Sequence, residues 1–199
     1  MSKIINPIPP QGFEIVRDRI ADILIDELAS QAVLCADPEL NINVFLERFN
    51  TLDKSEFPAA NIALATGAYD NENMKTVDGT YTYYVDFYSS SKTTTERSDT
   101  LANKKLQKYL GKARAIFKNP VYKTLGFAPP FISKVTVATL DINPPTPTND
   151  ADSSVEGRLS ITVRLVETTE LIEAVLIAGY ETKIKIGETN KGYYYKGGV

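Results

Sequence analysis

The chain has 199 residues, 22 of them basic and 25 acidic for a formal charge of −3, with 43% hydrophobic and 24% charged side chains; this is the balance of a globular domain that buries a core without staples. So small a net charge gives no electrostatic reason to expect nucleic acid or an anionic membrane as partner. With no histidine and a single cysteine, Cys35, the composition excludes histidine-assisted nucleophiles, intrachain disulfides and a zinc site of histidines and cysteines.

The opening MSKIINPIPPQG lacks an apolar core of signal-peptide length, and the longest apolar run, Ala174 to Ala178, falls far short of a bilayer span. Neither secretion by that route nor a membrane location is expected, and synthesis in a reducing cytoplasm fits the lone cysteine. From Gly12 to about Ala32, Phe13, Val16, Ile20, Ile23, Leu24 and Leu28 recur every three or four residues while Arg17, Asp18, Asp22 and Asp26 share the opposite side. That spacing predicts an amphipathic helix, which Asp37-Pro38 breaks. Residues 42–49, INVFLERF, read ambiguously as an apolar patch or short strand. NIALATG after Phe57-Pro58 reads as a strand closed by Gly67, and the polar, glycine-bounded stretch 67–79 as the connection to an antiparallel neighbour.

GTYTYYVDFYSSS, Gly79 to Ser91, is the most legible strand of the first half. Tyr81, Tyr83, Val85 and Phe87 alternate with Thr82, Tyr84, Asp86 and Tyr88, so one face calls for a core. The tract Ser89 to Asp99 has no apolar anchor and is expected to loop out. Ser98 or Asp99 then opens a second helix with Ala102, Leu106, Leu110, Ala113 and Phe117 on its apolar stripe, ended by Asn119-Pro120. ISKVTVATLDI and GRLSITVRLVE are two further alternating strands, joined by a proline-containing loop whose acidic residues Asp141, Asp150, Asp152 and Glu156 have no basic relief. The segment from Thr168 on reads as an appendage with a small hairpin around 188–191.

The predicted fold is α+β: a mainly antiparallel four-stranded sheet with two helices packed on one face, plus a C-terminal β-hairpin arm. The division is residues 1–167 as the domain and 168–199 as the arm. Candidate chemistry is sparse. Asp150 and Asp152 lack the third ligand, fixed glycine and closing glutamate of a calcium loop. No glycine pattern of a phosphate-binding loop occurs, so no cofactor or metal is expected. Lys104, Lys105 and Lys108 read as a charged outer helix face. The tyrosines carry more: Tyr84 and Tyr88 flank Asp86 on the strand face turned away from the core, and Tyr193, Tyr194 and Tyr195 cluster near the C-terminus. Aromatic side chains on a nominally exposed sheet face point either to a partner surface or to a cover supplied by the chain itself. Tyr84, Asp86, Tyr88, Asp150, Asp152, Tyr193, Tyr194 and Tyr195 are therefore the candidate interface.

In the order and pattern of GFEIVRDRIADILIDEL, ERF…FPAANIAL, TYTYYVDFYSS, LANKKLQKYLGKARAIF, ISKVTVATLDI and GRLSITVRLVE, roughly residues 12 to 167, the chain resembles the tail terminator (tail completion, or tail-to-head joining) proteins of tailed phages. The resemblance implies a non-enzymatic structural protein of the virion tail, assembled in the bacterial cytoplasm. Such a protein forms a homo-oligomeric ring, commonly a hexamer, that caps the tail tube, stops its polymerisation and offers the head-completion or connector protein its docking surface. DNA would pass only as cargo in the channel. The acidic loop would then face that channel or meet a basic partner ring, and Ser89 to Asp99 and the arm would reach neighbouring subunits. The alternatives are another neck, head-completion or baseplate protein, or a carboxylate-dependent hydrolase or small-ligand binding domain using Asp86, Asp150 and Asp152.

Overall fold

A computed structural model describes residues 7–50, 52–72, 76–92, 98–143, 152–168, 180–183 and 194–197. The chain divides into two compact units, Pro9–Thr168 and a second made of Met1–Ile8 with Thr169–Val199. In the larger unit helix α1 spans Gly12–Leu34. Its first turn is fastened by Glu14, whose Oε2 accepts the Gln11 amide at 2.7 Å. It ends two residues later than the sequence predicts, because Ala36 takes up the left-handed conformation (φ 50°). That turn lets the amide of Asp37 reach the carbonyl of Ala32 at 2.9 Å, a Schellman-type closure made without glycine.

Strands β1 (Asn43–Leu46), β2 (Ala59–Glu72), β3 (Thr76–Lys92), β4 (Ile132–Asn143) and β5 (Asp152–Thr168), with helix α2 (Ser98–Lys118) between β3 and β4, complete the unit. They form one five-stranded mixed sheet in the order β1-β2-β3-β5-β4. The expected four strands are thus joined by a fifth: β1 lies parallel to β2, while the other three pairings are antiparallel. Residues 47–58 carry the chain back between β1 and β2, about the shortest path a parallel connection allows. Four residues inside an irregular apolar patch leave no readable alternation, which is why the sequence there reads equally as a patch or a short strand and the fifth strand is not counted from it.

One stretch expected as a loop, 67–79, is largely strand, and residues at the margins of two others lie on strands. The ladder of β2 and β3 continues through Gly67↔Tyr81, Ala68↔Thr80 and Tyr69↔Gly79, so residues 67–79 are mostly paired. The glycines are tolerated because the Tyr81 ring lies against both: a Cβ at Gly67 or Gly79 would stand 2.8 Å from it. Likewise Asp141 lies on β4 and Glu156 on β5. Of the tract Ser89 to Asp99, residues 89–92 belong to β3 and 98–99 to α2, and 93–97 lie outside the described residues.

Both helices cover one face of the sheet. Tyr81, Tyr83, Val85, Phe87, Leu159, Ile161, Val163 and Leu165 are buried there with Val16, Ile20, Leu24 and Leu28 of α1 and Leu106, Leu110 and Ala113 of α2. The Tyr83 hydroxyl donates to the carbonyl of Phe13 at 2.9 Å, tying β3 to α1. Gly157 marks the close approach of α2, since a Cβ there would meet Leu110 at 2.8 Å and the backbone oxygen of Asp141 at 3.1 Å. α2 is tied to α1 by Lys112, which donates to Gln31 at 2.9 Å, and to the turn after α1 by Lys108, which contacts Asp37 at 2.8 Å and Glu39 at 3.1 Å, and Lys105, which contacts Glu39 at 2.7 Å. In the smaller unit β6 (Tyr180–Lys183) and β7 (Tyr194–Gly197) pair antiparallel.

Candidate interaction surface

The sheet face turned away from the helices is built by strand alternation. Thr82, Tyr84, Asp86 and Tyr88 of β3 stand opposite Thr162, Ser160, Arg158 and Glu156 of β5. At its centre Arg158 and Asp86 face each other directly. Arg158 Nε donates to Asp86 Oδ1 at 2.6 Å and Nη2 to Oδ2 at 2.8 Å, a two-pronged match of planar groups. The same guanidinium lies over the Tyr84 ring, 4.0 Å from its centroid, where the ring's negative face attracts it. The Asp86 side chain is 16% exposed and that of Arg158 41%. The hydrogen bonds to Asp86 hold the guanidinium pKa above its ordinary value.

Tyr88 sits one step along the same face, its ring stacked on Phe57 with centroids 5.8 Å apart and planes at 16°. Burial first, and then the carboxylates of Asp86 and Glu156, push its hydroxyl pKa up. Outward from this centre the polar groups are tied to each other. Thr139 Oγ1 contacts Ser160 Oγ at 3.0 Å, and Asn143 Nδ2 donates to Glu156 Oε1 at 2.6 Å. On β2, Asn61 is 6% exposed and exchanges hydrogen bonds with the backbone of Arg48, both at 3.0 Å. Arg48 in turn forks onto Glu56 at 2.6 and 3.0 Å.

The surface is therefore aromatic and charged yet internally satisfied. Asp86 accepts two hydrogen bonds from a single guanidinium. Among the described residues no three histidine, cysteine, aspartate or glutamate side chains stand close enough to hold a metal.

Of the residues the sequence singles out, Tyr84, Asp86 and Tyr88 are brought together here. Asp152 begins β5, its backbone paired with that of Lys92. Tyr194 and Tyr195 lie on β7 opposite Lys183 and Thr182. Asp150 and Tyr193 lie outside the described residues. Sequence reasoning missed Arg158 and Phe57 as members of the surface. Arg158 is legible as outward-facing on its strand, but only the β3–β5 register sets it against Asp86. Compared with known proteins, the chain matches no family model and no curated sequence.

Proposed function

We propose that this protein is a structural component of a tailed-phage virion. In this reading copies close into a ring, with a hexamer as the expected order, on the end of the tail tube. The ring ends tube polymerisation and presents a docking surface to the head-completion or connector protein, while DNA passes through it only as cargo. The protein works by binding and not by turnover, in the virion tail after assembly in the host cytoplasm, and the C-terminal hairpin is an arm that reaches a neighbouring subunit.

The observation that carries this reading is the sheet face of Tyr84, Asp86, Arg158 and Tyr88. Its one central acid is locked by two hydrogen bonds and its rings are stacked, an arrangement suited to packing against protein, since interfaces favour tyrosine and arginine held rigidly. Within the larger unit both helices pack on the opposite face of the sheet, so neither helix covers these residues. The test is to add purified protein to tail tubes polymerised from tube protein and image the ends by negative stain. Capped ends that stop growing, with capping weakened about tenfold or more by Tyr84→Ala with Tyr88→Ala, support the reading. Tubes that elongate unchanged and carry no added density at their ends overturn it.

A further inference from the structure

The two edges of the sheet carry matching apolar ends. Following the register across the strands, Leu46 pairs with Ile62, Ile62 with Val85, Val85 with Leu159 and Leu159 with Leu140. These five aliphatic residues form a single row on the helix-covered face. The middle three are fully buried, whereas Leu46 is 43% and Leu140 41% exposed. Next to the first end stands Phe49, 88% exposed, and next to the second Ile142, 36% exposed.

The loop that presents Phe49 is not slack. Glu47 adopts a left-handed conformation (φ 49°), which costs a non-glycine residue free energy and persists only where neighbours enforce it. Its carboxylate accepts the Leu64 amide at 2.9 Å, its own amide donates to Ile62 at 2.9 Å, and the following Arg48 is clamped by Asn61 and Glu56. A phenylalanine held almost wholly in water by strained, tightly bonded backbone is poised for contact.

We infer that Leu46 and Phe49 on the β1 edge of one copy dock against Leu140 and Ile142 on the β4 edge of a second copy. Strand directions permit it. β1 runs parallel to β2, and each of the next three pairings reverses direction, so β1 and β4 run opposite ways. A second copy laid alongside without turning its sheet over brings its β4 next to β1 as an antiparallel neighbour, and the aliphatic row continues across the joint. Among the described residues neither outer edge is paired, and an open edge with exposed apolar side chains is a template for strand addition. Because the joined surfaces differ, the contact is heterologous and repeats from copy to copy, closing into a ring where the rotation allows. The inference deepens the ring reading and rests on its premise that copies associate.

The test uses two full-length variants, Leu46→Asp and Leu140→Asp, each first shown to keep the wild-type circular dichroism and unfolding transition. Light scattering over a concentration series is then run on wild type, on each variant and on their equimolar mixture. A heterologous joint predicts an oligomer for wild type, a shift of at least tenfold in assembly concentration for each variant alone, and a species of two chains in the mixture, where one intact edge of each kind remains. Phe49→Ser, at a residue so exposed that folding is not at stake, should weaken wild-type assembly in the same direction. Variants that assemble like wild type overturn the edge contact, and so does a wild type that stays monomeric at every concentration. Variants that still cap tubes as rings leave the proposed function standing without this contact. Edge-dependent oligomers that ignore tube ends leave the contact standing without that function.

Discussion

Arg158 and Asp86 meet across the centre of the sheet through two hydrogen bonds, at 2.6 and 2.8 Å, while the same guanidinium rests 4.0 Å from the centre of the Tyr84 ring. One planar cation thereby fixes a carboxylate in its own plane and an aromatic ring beneath it. Lysine has the charge but not the plane, so Arg158→Lys should lower stability by about 1 kcal/mol, the scale of a partly exposed ion pair together with a cation–π contact. Urea unfolding measures this. A double-mutant cycle with Tyr84→Leu should give a coupling of about 0.5 kcal/mol or more, and no coupling would mean that the stack is incidental.

The Tyr83 hydroxyl has a specific buried task, donating to the Phe13 carbonyl at 2.9 Å. Tyr83→Phe removes the donor and keeps the ring, while the Phe13 carbonyl, lying inside α1, retains its helical partner. The expected loss is about 0.5–1.5 kcal/mol, read as a lower denaturation midpoint with an unchanged slope. Tyr69, which is 63% exposed, provides the comparison: Tyr69→Phe should shift the midpoint much less.

Gly157 sets how closely α2 approaches the sheet. An added methyl there meets Leu110 at 2.8 Å, the Asp141 carbonyl at 3.1 Å and Leu106 at 3.2 Å, and a backbone carbonyl in a strand ladder cannot step aside. Gly157→Ala should therefore destabilise by about 1–3 kcal/mol through overpacking, despite the gain alanine normally brings to a strand. Gly111 makes the contrasting case, with nothing near an added Cβ. Gly111→Ala on the open side of α2 should stabilise by about 0.5–1 kcal/mol.

Stability should have both an acid and an alkaline limb. The hydrogen bond from Lys108 holds Asp37 below its usual 3.8, and that from Lys105 holds Glu39 below its usual 4.5. A depressed folded-state pKa gives stability that is present above the unfolded value and lost as pH falls through the folded one. The decline should therefore begin near pH 4.5 and continue below 3.8, and Lys108→Met should flatten it. On the other side, burial and then Glu39 push the Tyr109 hydroxyl up to about 12. The unfolded chain ionises first, so stability falls as pH rises above about 10 and continues falling through about 12. Thermal unfolding across pH, with phenolate absorbance followed at the alkaline end, checks both limbs.

Period-two alternation makes β3 and β5 readable from the amino-acid sequence alone, because strands with one face in a core cannot slip by a residue without exposing it. The two helices are legible for the same reason at their own period. What escapes is set by partners far away in sequence. β1 is four residues long and is held as a strand by β2. The polar stretch 67–79 is strand because the Tyr81 ring shields its glycines, a side-chain service that no local pattern announces. Tyr84, Asp86 and Tyr88 can be placed on one face by counting in twos, but their chemistry cannot. Asp86 becomes a locked acceptor only when the β3–β5 register delivers Arg158, and Tyr88 a stacked, half-buried ring only when Phe57 lies on it.

The central strand β3 finds one neighbour, β2, next to it in sequence, but the other, β5, only after α2 and β4 have intervened. During synthesis on the ribosome the hairpin of β2 and β3 can form early, while its second edge waits for residues 152–168 to be made. Loop closure of that length is slow, and an open edge flanked by Tyr81, Tyr83, Val85 and Phe87 is a sticky intermediate. The nascent chain therefore depends on α2 settling over that face before its last sheet partner arrives. Chains cut short before β5 should collect in inclusion bodies or on chaperones.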